Sequence, residues 1–184
     1  MMFEQYPDIL TVEEACDALR MGYNAVYDLL NEGKLNGDRA ALKRAAGIML
    51  SEADGKAVAA FYRCLPYGTP QRKEDRWFAM ACLRCLWDAD MEGGEPFEQI
   101  IGRLIREEKL SDSTLHRAEV LLDTAWDEDG YMLTKLTRMV KLIRQKSDRT
   151  AVDFSAMLDD LIRWNNENQY VQRKWARAIF TNET

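Results

Sequence analysis

Apolar residues recur at helical spacing along almost the whole 184-residue chain, and strict alternation of apolar with polar residues is nearly absent. Spacings of three and four residues place side chains on one face of an α-helix, whereas a half-buried strand needs a period of two. The breaks between periodic segments hold most of the four prolines and ten glycines. The pattern therefore predicts an all-α bundle of roughly nine to ten helices without a sheet.

Capping residues and glycines give approximate bounds for these helices. Thr11 and Glu14 form a capping box before the first helix, and Asn24 can cap the second. The predicted segments are 11–21, 24–32, 38–46, 51–64, 74–91, 96–108, 111–124, 131–146, 153–164 and 169–180.

Composition predicts a packed protein outside the membrane. Hydrophobic residues make up 47 % of the chain, and no apolar run approaches the roughly 18–20 residues that span a bilayer. The first ten residues, MMFEQYPDIL, are acidic and lack the apolar core of a secretory signal. We expect a cytoplasmic protein with no membrane partner.

The cysteines do not predict a metal site. Cys82 and Cys85 form a C-x-x-C, but it lies within an apolar helical segment without a second pair at ligand spacing. In a reducing compartment, these two residues with Cys16 and Cys64 are expected to be small buried side chains rather than disulfides. We expect no cofactor.

Catalytic chemistry also lacks candidates. General acid–base and nucleophilic catalysis need a base beside its partner group. His116 is the only histidine, and the sequence has no glycine-rich phosphate loop. The acidic runs 88–90 and 127–129 are interpreted as helix-end and turn residues rather than cation ligands. The sequence therefore predicts that the protein is not an enzyme.

Charge is strongly polarised along the chain. Residues 135–184 carry ten Lys or Arg and six Asp or Glu, a balance of +4 in a chain whose net charge is −6. In segment 131–146, four cations spaced by three residues lie beside an apolar stripe. One such helix alone favours an ordinary solvated face. Three successive helices with the same bias favour a surface for a polyanion.

Several fragments match one family in order and spacing. They are GDRAALKRAAG (37–47), AFYRCLPYG (60–68), RWFAMACL (76–83), IIGRLIRE (100–107), LTKLTRMVKLIRQK (133–146), MLDDLIRW (157–164) and VQRKWARAIF (171–180). In this combination, residues 37–184 resemble the CasB family, the small subunit of the type I-E CRISPR surveillance complex called Cascade.

The resemblance implies a non-catalytic, all-α protein of two packed lobes. It also implies two copies of the chain in a ribonucleoprotein, beside the subunits that hold the guide RNA. The basic surface would hold the target DNA and the displaced non-target strand, stabilising the R-loop. Strand exchange by a guide is nearly balanced in energy, so backbone contacts that do not read sequence can tip it.

Basic residues within the matching fragments are the candidate nucleic-acid contacts. They are Lys43, Arg44, Arg63, Arg138, Lys141, Arg144, Arg163, Arg173, Lys174 and Arg177. We favour Arg44, Arg63, Arg138 and Arg163. Arg63 and Arg163 could instead be partners in intramolecular salt bridges. Trp164 and Trp175 fall on the apolar sides of their helices and are expected to be core anchors rather than base-stacking platforms.

Residues 1–36 depart from that family. The segment resembles the helix-turn-helix start of excisionase-type DNA-binding proteins, with LTVEEA in the first helix and NAVYDLL in the second. It lacks the basic wing, and it carries two basic against seven acidic residues. Such a module should bind DNA weakly because non-specific affinity is electrostatic. A packing role, a junction between two genes and an excisionase-type transcriptional regulator all remain open.

Overall fold

The structure is a computed structural model that describes residues 36–65, 68–87, 94–147 and 150–181. Eight α-helices lie within these ranges, together with short 3-10 turns at Leu50–Glu52 and Gln71–Lys73. The helices are α1 (Asn36–Arg44), α2 (Gly55–Cys64), α3 (Glu74–Trp87), α4 (Phe97–Arg106), α5 (Asp112–Leu122), α6 (Tyr131–Lys146), α7 (Phe154–Ile162) and α8 (Tyr170–Phe180).

Helix α3 is the centre of the packing. Ten of its 14 residues are buried, which is typical of a helix that is apolar on all sides. It packs against α1, α6 and α7, while α1 also packs against α2. Helices α4 and α8 form the other main contact, and α5 lies against α6 and α8. One continuous hydrophobic core runs through both groups.

Helices α4 and α8 approach each other closely at Gly102. A Cβ atom at this position would lie 2.1 Å from the backbone oxygen of Ala178, so only glycine permits this approach. The interface is filled by aromatic rings, with Phe97 and Trp175 at 6.0 Å between centroids. This close packing positions the basic side chains of both helices along a common edge.

The predicted all-α class is confirmed, and the described residues contain one isolated parallel bridge, Glu95 with Val152, rather than a sheet. The predicted start of a helix at Ser51 is wrong. Helix α2 begins at Gly55 because the Asp54 carboxylate accepts hydrogen bonds from the backbone N–H groups of Lys56 and Ala57, both at 2.9 Å. The helices predicted at 11–21 and 24–32 lie outside the described residues.

The C-x-x-C cysteines are part of the core. Cys82 and Cys85 are 1 % and 2 % exposed. Burial strongly raises the pKa of the Cys82 thiol, which disfavours the thiolate that binds metals. Within the described ranges, no three His, Cys, Asp or Glu side chains come together as a metal site.

Among the helices that the structure describes, none combines the length and the apolar character that crossing a membrane requires.

Candidate nucleic-acid interface

Helix α6 carries a row of exposed basic side chains beside its core-facing stripe, called here the α6 face. Its buried residues recur at helical spacing: Met132, Leu133, Leu136, Thr137, Met139, Val140 and Ile143. Arg138, Lys141 and Arg144 fall between them and are exposed. At a rise of about 1.5 Å per residue, these three cations span about 9 Å of the helix axis.

The cations of this α6 face differ from Arg63, Arg103 and Lys174 in their ion pairing among the described residues. Within the part of the chain that the structure describes, Arg138, Lys141 and Arg144 form no salt bridge. The fourth cation of the stripe, Lys135, is half-buried, and its ammonium lies 4.2 Å from the centroid of the Tyr131 ring. Among the described residues, no salt bridge offsets the charges of Arg138, Lys141 and Arg144.

A second basic region is the cleft between α4 and α8, which encloses about 700 Å³. It brings together three predicted site residues, Arg173, Lys174 and Arg177, with two arginines of α4. The side chains and backbone that line it belong to Glu95, Glu98, Gln99, Arg103, Arg106, Tyr170, Arg173, Lys174, Arg177, Ala178 and Thr181. Five of these residues are cationic and two are acidic, so the cleft is positive overall.

Lys174 is held by two buried carboxylates beneath the cleft. Its Nζ atom lies 2.7 Å from Asp160 Oδ2 and 3.1 Å from Glu98 Oε1. Those two residues are only 7 % and 2 % exposed, and Trp175 Nε1 donates a further 2.7 Å hydrogen bond to Asp160. Burial alone would lower the pKa of Lys174, but the hydrogen bond with Asp160 and the two negative charges outweigh it and raise the pKa. Lys174 is thus paired with two carboxylates of the protein, although 44 % of its side chain is exposed.

Arg103 is similarly tied to neighbouring groups. Its Nη2 atom donates to Glu95 Oε2 and Thr150 Oγ1, each at 3.1 Å, and Glu107 lies 3.6 Å away. The hydrogen bond with Glu95 is the main cause of the raised pKa of Arg103. The remaining cleft cations are Arg106, Arg173 and Arg177, all exposed. Arg173 donates to the backbone oxygen of Asn168 at 2.7 Å.

Sequence reasoning did not select Arg103 or Arg106 as site residues, although both lie in the matching fragment IIGRLIRE. The available signal was their spacing of three residues, which places them on neighbouring parts of one helix face. They share a cleft with Arg173 and Arg177 because α4 packs against α8. Local sequence patterns do not predict which helices pack together.

The predicted residues near the N-terminal end of the described chain lie at helix ends. Lys43 and Arg44 close α1, where Lys43 is half-buried and Arg44 exposed. Arg63, in the last turn of α2, is bound to Asp38, with its Nε atom 2.9 Å from Oδ2. This hydrogen bond is the main cause of the raised pKa of Arg63. The intramolecular salt bridge considered for Arg63 is therefore present, with 53 % of its side chain still exposed.

Arg163 is half-buried at the C-terminal cap of α7. The four favoured residues, Arg44, Arg63, Arg138 and Arg163, therefore lie on four different helices or their caps. None of them lines the cleft. The cleft therefore brings together Arg173, Lys174 and Arg177 and includes none of the four favoured residues.

The two tryptophans are core anchors, as the sequence predicts. Trp164 and Trp175 are both fully buried, and their rings form an edge-to-face pair with centroids 5.2 Å apart. Trp164 Nε1 donates to the backbone oxygen of Thr124 at 2.8 Å. Neither ring is accessible to a nucleic-acid base.

Comparison with known proteins identifies relatives for most of the chain. The family model described as CRISPR-associated protein Cse2 matches residues 38–180. A CRISPR-associated protein Cse2 from Thermus thermophilus is 25 % identical over 130 residues, which cover 66 % of this chain and 70 % of that protein.

Solved structures with the same fold agree. The crystal structure of a Cse2-family protein from Thermus thermophilus gives a TM-score of 0.72 at 23 % identity, covering 88 % of this chain and 97 % of that one. A chain from a structure described as a CRISPR RNA-guided surveillance complex gives a TM-score of 0.68 at 22 % identity, with 89 % and 92 % covered. At these identities, the likeness to the solved structures shows a shared fold.

Proposed function

The chain belongs to the Cse2 family of CRISPR-associated proteins, and on that premise we propose that it is a non-catalytic, nucleic-acid-binding subunit of the type I-E surveillance complex Cascade. It stabilises the target strand and the displaced strand of the R-loop through a basic surface. Its partners are the other Cascade subunits with their guide RNA, the DNA, and a second copy of this chain. It works in the cytoplasm.

The observation that carries this proposal is the α6 face. Arg138, Lys141 and Arg144 are exposed along one helix, and within the described residues none of them is committed to a carboxylate. In a chain with a net charge of −6, an unneutralised row of cations favours a specific anionic partner over general solubility. A nucleic-acid backbone, which carries one negative charge per phosphate, is such a partner.

The type of contact fits the energetic need of an R-loop. The guide–target duplex is about as stable as the DNA duplex that it replaces, so small sequence-independent contributions decide the balance. Arg and Lys on a helix surface contact phosphates without reading bases. Such a subunit would serve any target that the guide selects.

The proposal assigns no catalytic residue. The only histidine, His116, is exposed on α5, 3.2 Å from Glu119 Oε2, and does not line the cleft. Cys64, Cys82 and Cys85 are buried. Neither His116 nor these three cysteines lines the cleft, and none of them belongs to α6. Nuclease assays with added Mg²⁺ would contradict this part if purified protein cleaved DNA.

The test is reconstitution of R-loop formation. The complex is assembled from the other Cascade subunits, a guide RNA and this chain, and opening of the target duplex is measured by protection of the displaced strand. We expect the Lys141→Glu variant to assemble normally and to form fewer or shorter-lived R-loops, since it replaces a phosphate contact with repulsion.

Lys56→Glu is the matched control. Lys56 is also an exposed lysine, in the first turn of α2, and the substitution changes the net charge by the same amount. If Lys141→Glu supports R-loops as well as Lys56→Glu does, the α6 face is not the binding surface.

A further inference from the structure

Tyr131 is the most exposed large hydrophobic side chain among the described residues, at 56 %. It is the first residue of α6 and follows Gly130, whose φ of 68° is left-handed. A Cβ atom at Gly130 would lie 2.8 Å from Met49 Cγ, and the backbone N–H of Tyr131 donates to Asp127 Oδ1 at 3.2 Å. The backbone around this exposed ring is therefore well anchored.

Two cations follow Tyr131 on the same face of the helix. At about 100° per residue, Lys135 and Arg138 lie within about 40° of Tyr131 around the helix axis. The Lys135 ammonium lies 4.2 Å from the ring centroid, a cation–π distance. Because more than half of Tyr131 stays exposed with Lys135 in this position, much of the aromatic surface is open to an external group.

We propose that Tyr131 is a stacking platform for an unpaired nucleic-acid base, with the adjoining phosphates on Lys135 and Arg138. The inference rests on the proposed function and adds a preference for a single strand. Proteins that bind single strands combine cations along the backbone with aromatic side chains on which bases stack. Bases within a duplex are already stacked on each other, so they cannot use such a platform without unpairing.

The acidic turn before α6 limits where the phosphates of a bound strand can lie. Asp127 is half-buried, and Glu128 and Asp129 are exposed, immediately before Gly130. Their charges disfavour a phosphate at the N-terminal side of the ring. The backbone of a bound strand therefore passes over Lys135 and Arg138 while its base covers the ring.

Tyr62 is the natural comparison for Tyr131. It is 50 % exposed, but its hydroxyl donates to Glu74 Oε2 at 2.7 Å. The hydrogen bond with Glu74, together with burial and the charges of Glu74 and Asp75, raises the pKa of Tyr62. The carboxylates of Glu74 and Asp75 beside Tyr62 repel phosphate. Tyr62→Leu is therefore the control for the loss of an exposed ring that has no role in binding.

The experiment measures binding of the full chain to two fluorescent probes with equal numbers of phosphates. One is an oligothymidine strand, and the other has a stable abasic analogue at every position. We expect the wild-type chain to bind the strand with bases more tightly. Tyr131→Leu, which keeps an apolar side chain but removes the ring, should lower that affinity about fivefold and leave the abasic strand unchanged. Tyr131→Phe should behave as wild type.

The stacking proposal is overturned if the wild-type chain binds both probes equally. It is also overturned if Tyr131→Leu loses affinity for both probes equally, or if its affinities equal those of Tyr62→Leu. If Arg138→Glu weakens binding of both probes while Tyr131→Leu weakens binding of neither, the phosphate contact is supported and the stacking proposal is contradicted. If Arg138→Glu also leaves both probes unchanged, the proposed function of this face fails as well. Thermal unfolding of each variant confirms that it is folded.

Discussion

Helices α6 and α8 share one pattern of tyrosine, lysine and arginine, but the two lysines lie in different environments. In each helix, tyrosine is the first residue, lysine follows four positions later and arginine seven positions later. The two sets are Tyr131, Lys135 and Arg138 in α6, and Tyr170, Lys174 and Arg177 in α8. In the first set the lysine stacks on the exposed ring, whereas in the second it contacts Glu98 and Asp160.

The difference shows that spacing alone does not make a cation available to a ligand. Lys174 lies above two buried carboxylates, so its charge offsets theirs. Leaving a buried charge without a partner costs several kcal/mol, so Lys174 is worth more to stability than to binding. The cations of the α6 face have no such commitment among the described residues.

The largest expected effect comes from Gly102→Ala. The added methyl group would lie 2.1 Å from the Ala178 backbone oxygen, so α4 and α8 must move apart, and we expect the free energy of unfolding to fall by about 3 kcal/mol. Urea unfolding followed by circular dichroism measures it. Gly55→Ala is the control, since a Cβ there meets nothing within 4 Å. Equal stability of the two variants would contradict the close approach.

The next effect separates the two lysines. Lys174→Met should lower the free energy of unfolding by about 2 kcal/mol because it leaves Glu98 and Asp160 buried without their cation, a value that allows for the partial exposure of Lys174. Lys135→Met should change it by less than about 0.5 kcal/mol. Chemical unfolding of both variants gives the comparison. Similar losses would mean that the two environments are energetically alike.

Nucleic-acid binding should depend more on α6 than on the cleft, which is the reverse of the order expected for stability. At low salt, Arg138→Glu should weaken binding of a single-stranded oligonucleotide about tenfold and reduce the dependence of log affinity on log salt by about one unit. Arg177→Glu should cost less because the cleft already contains Glu95 and Glu98. Fluorescence anisotropy across a salt series measures both. A larger loss for Arg177→Glu would make the cleft the main binding surface.

The smallest expected effect is a pH dependence of the contribution that Lys174 makes to the free energy of unfolding. The folded state raises the pKa of Lys174 above its unfolded value. The resulting stability is present in full below about pH 10.4, the usual lysine pKa, and disappears as the pH rises through the raised value. The difference in unfolding free energy between wild type and Lys174→Met should therefore shrink at alkaline pH. A constant difference would show that charge is not its source.

Local signals predicted the helices well because periodicity and capping act over a few residues. The segment predicted at 131–146 is α6 with the same bounds, Tyr131–Lys146, and its apolar stripe is buried. The helix predicted from Ser51 began too early, since Ser51 and Asp54 are both acceptable caps by sequence. Only the conformation of the chain shows that Asp54 makes the capping hydrogen bonds.

The sequence by itself therefore determined the helical class, the buried faces of the helices, the core positions of Trp164 and Trp175 and the polarised charge. The tertiary structure decided which cations share a surface and which are neutralised. Glu98 in α4 and Asp160 in α7 meet Lys174 in α8, although they are distant along the chain. Charge acts through space rather than along the sequence, so the availability of each cation depends on how the helices pack.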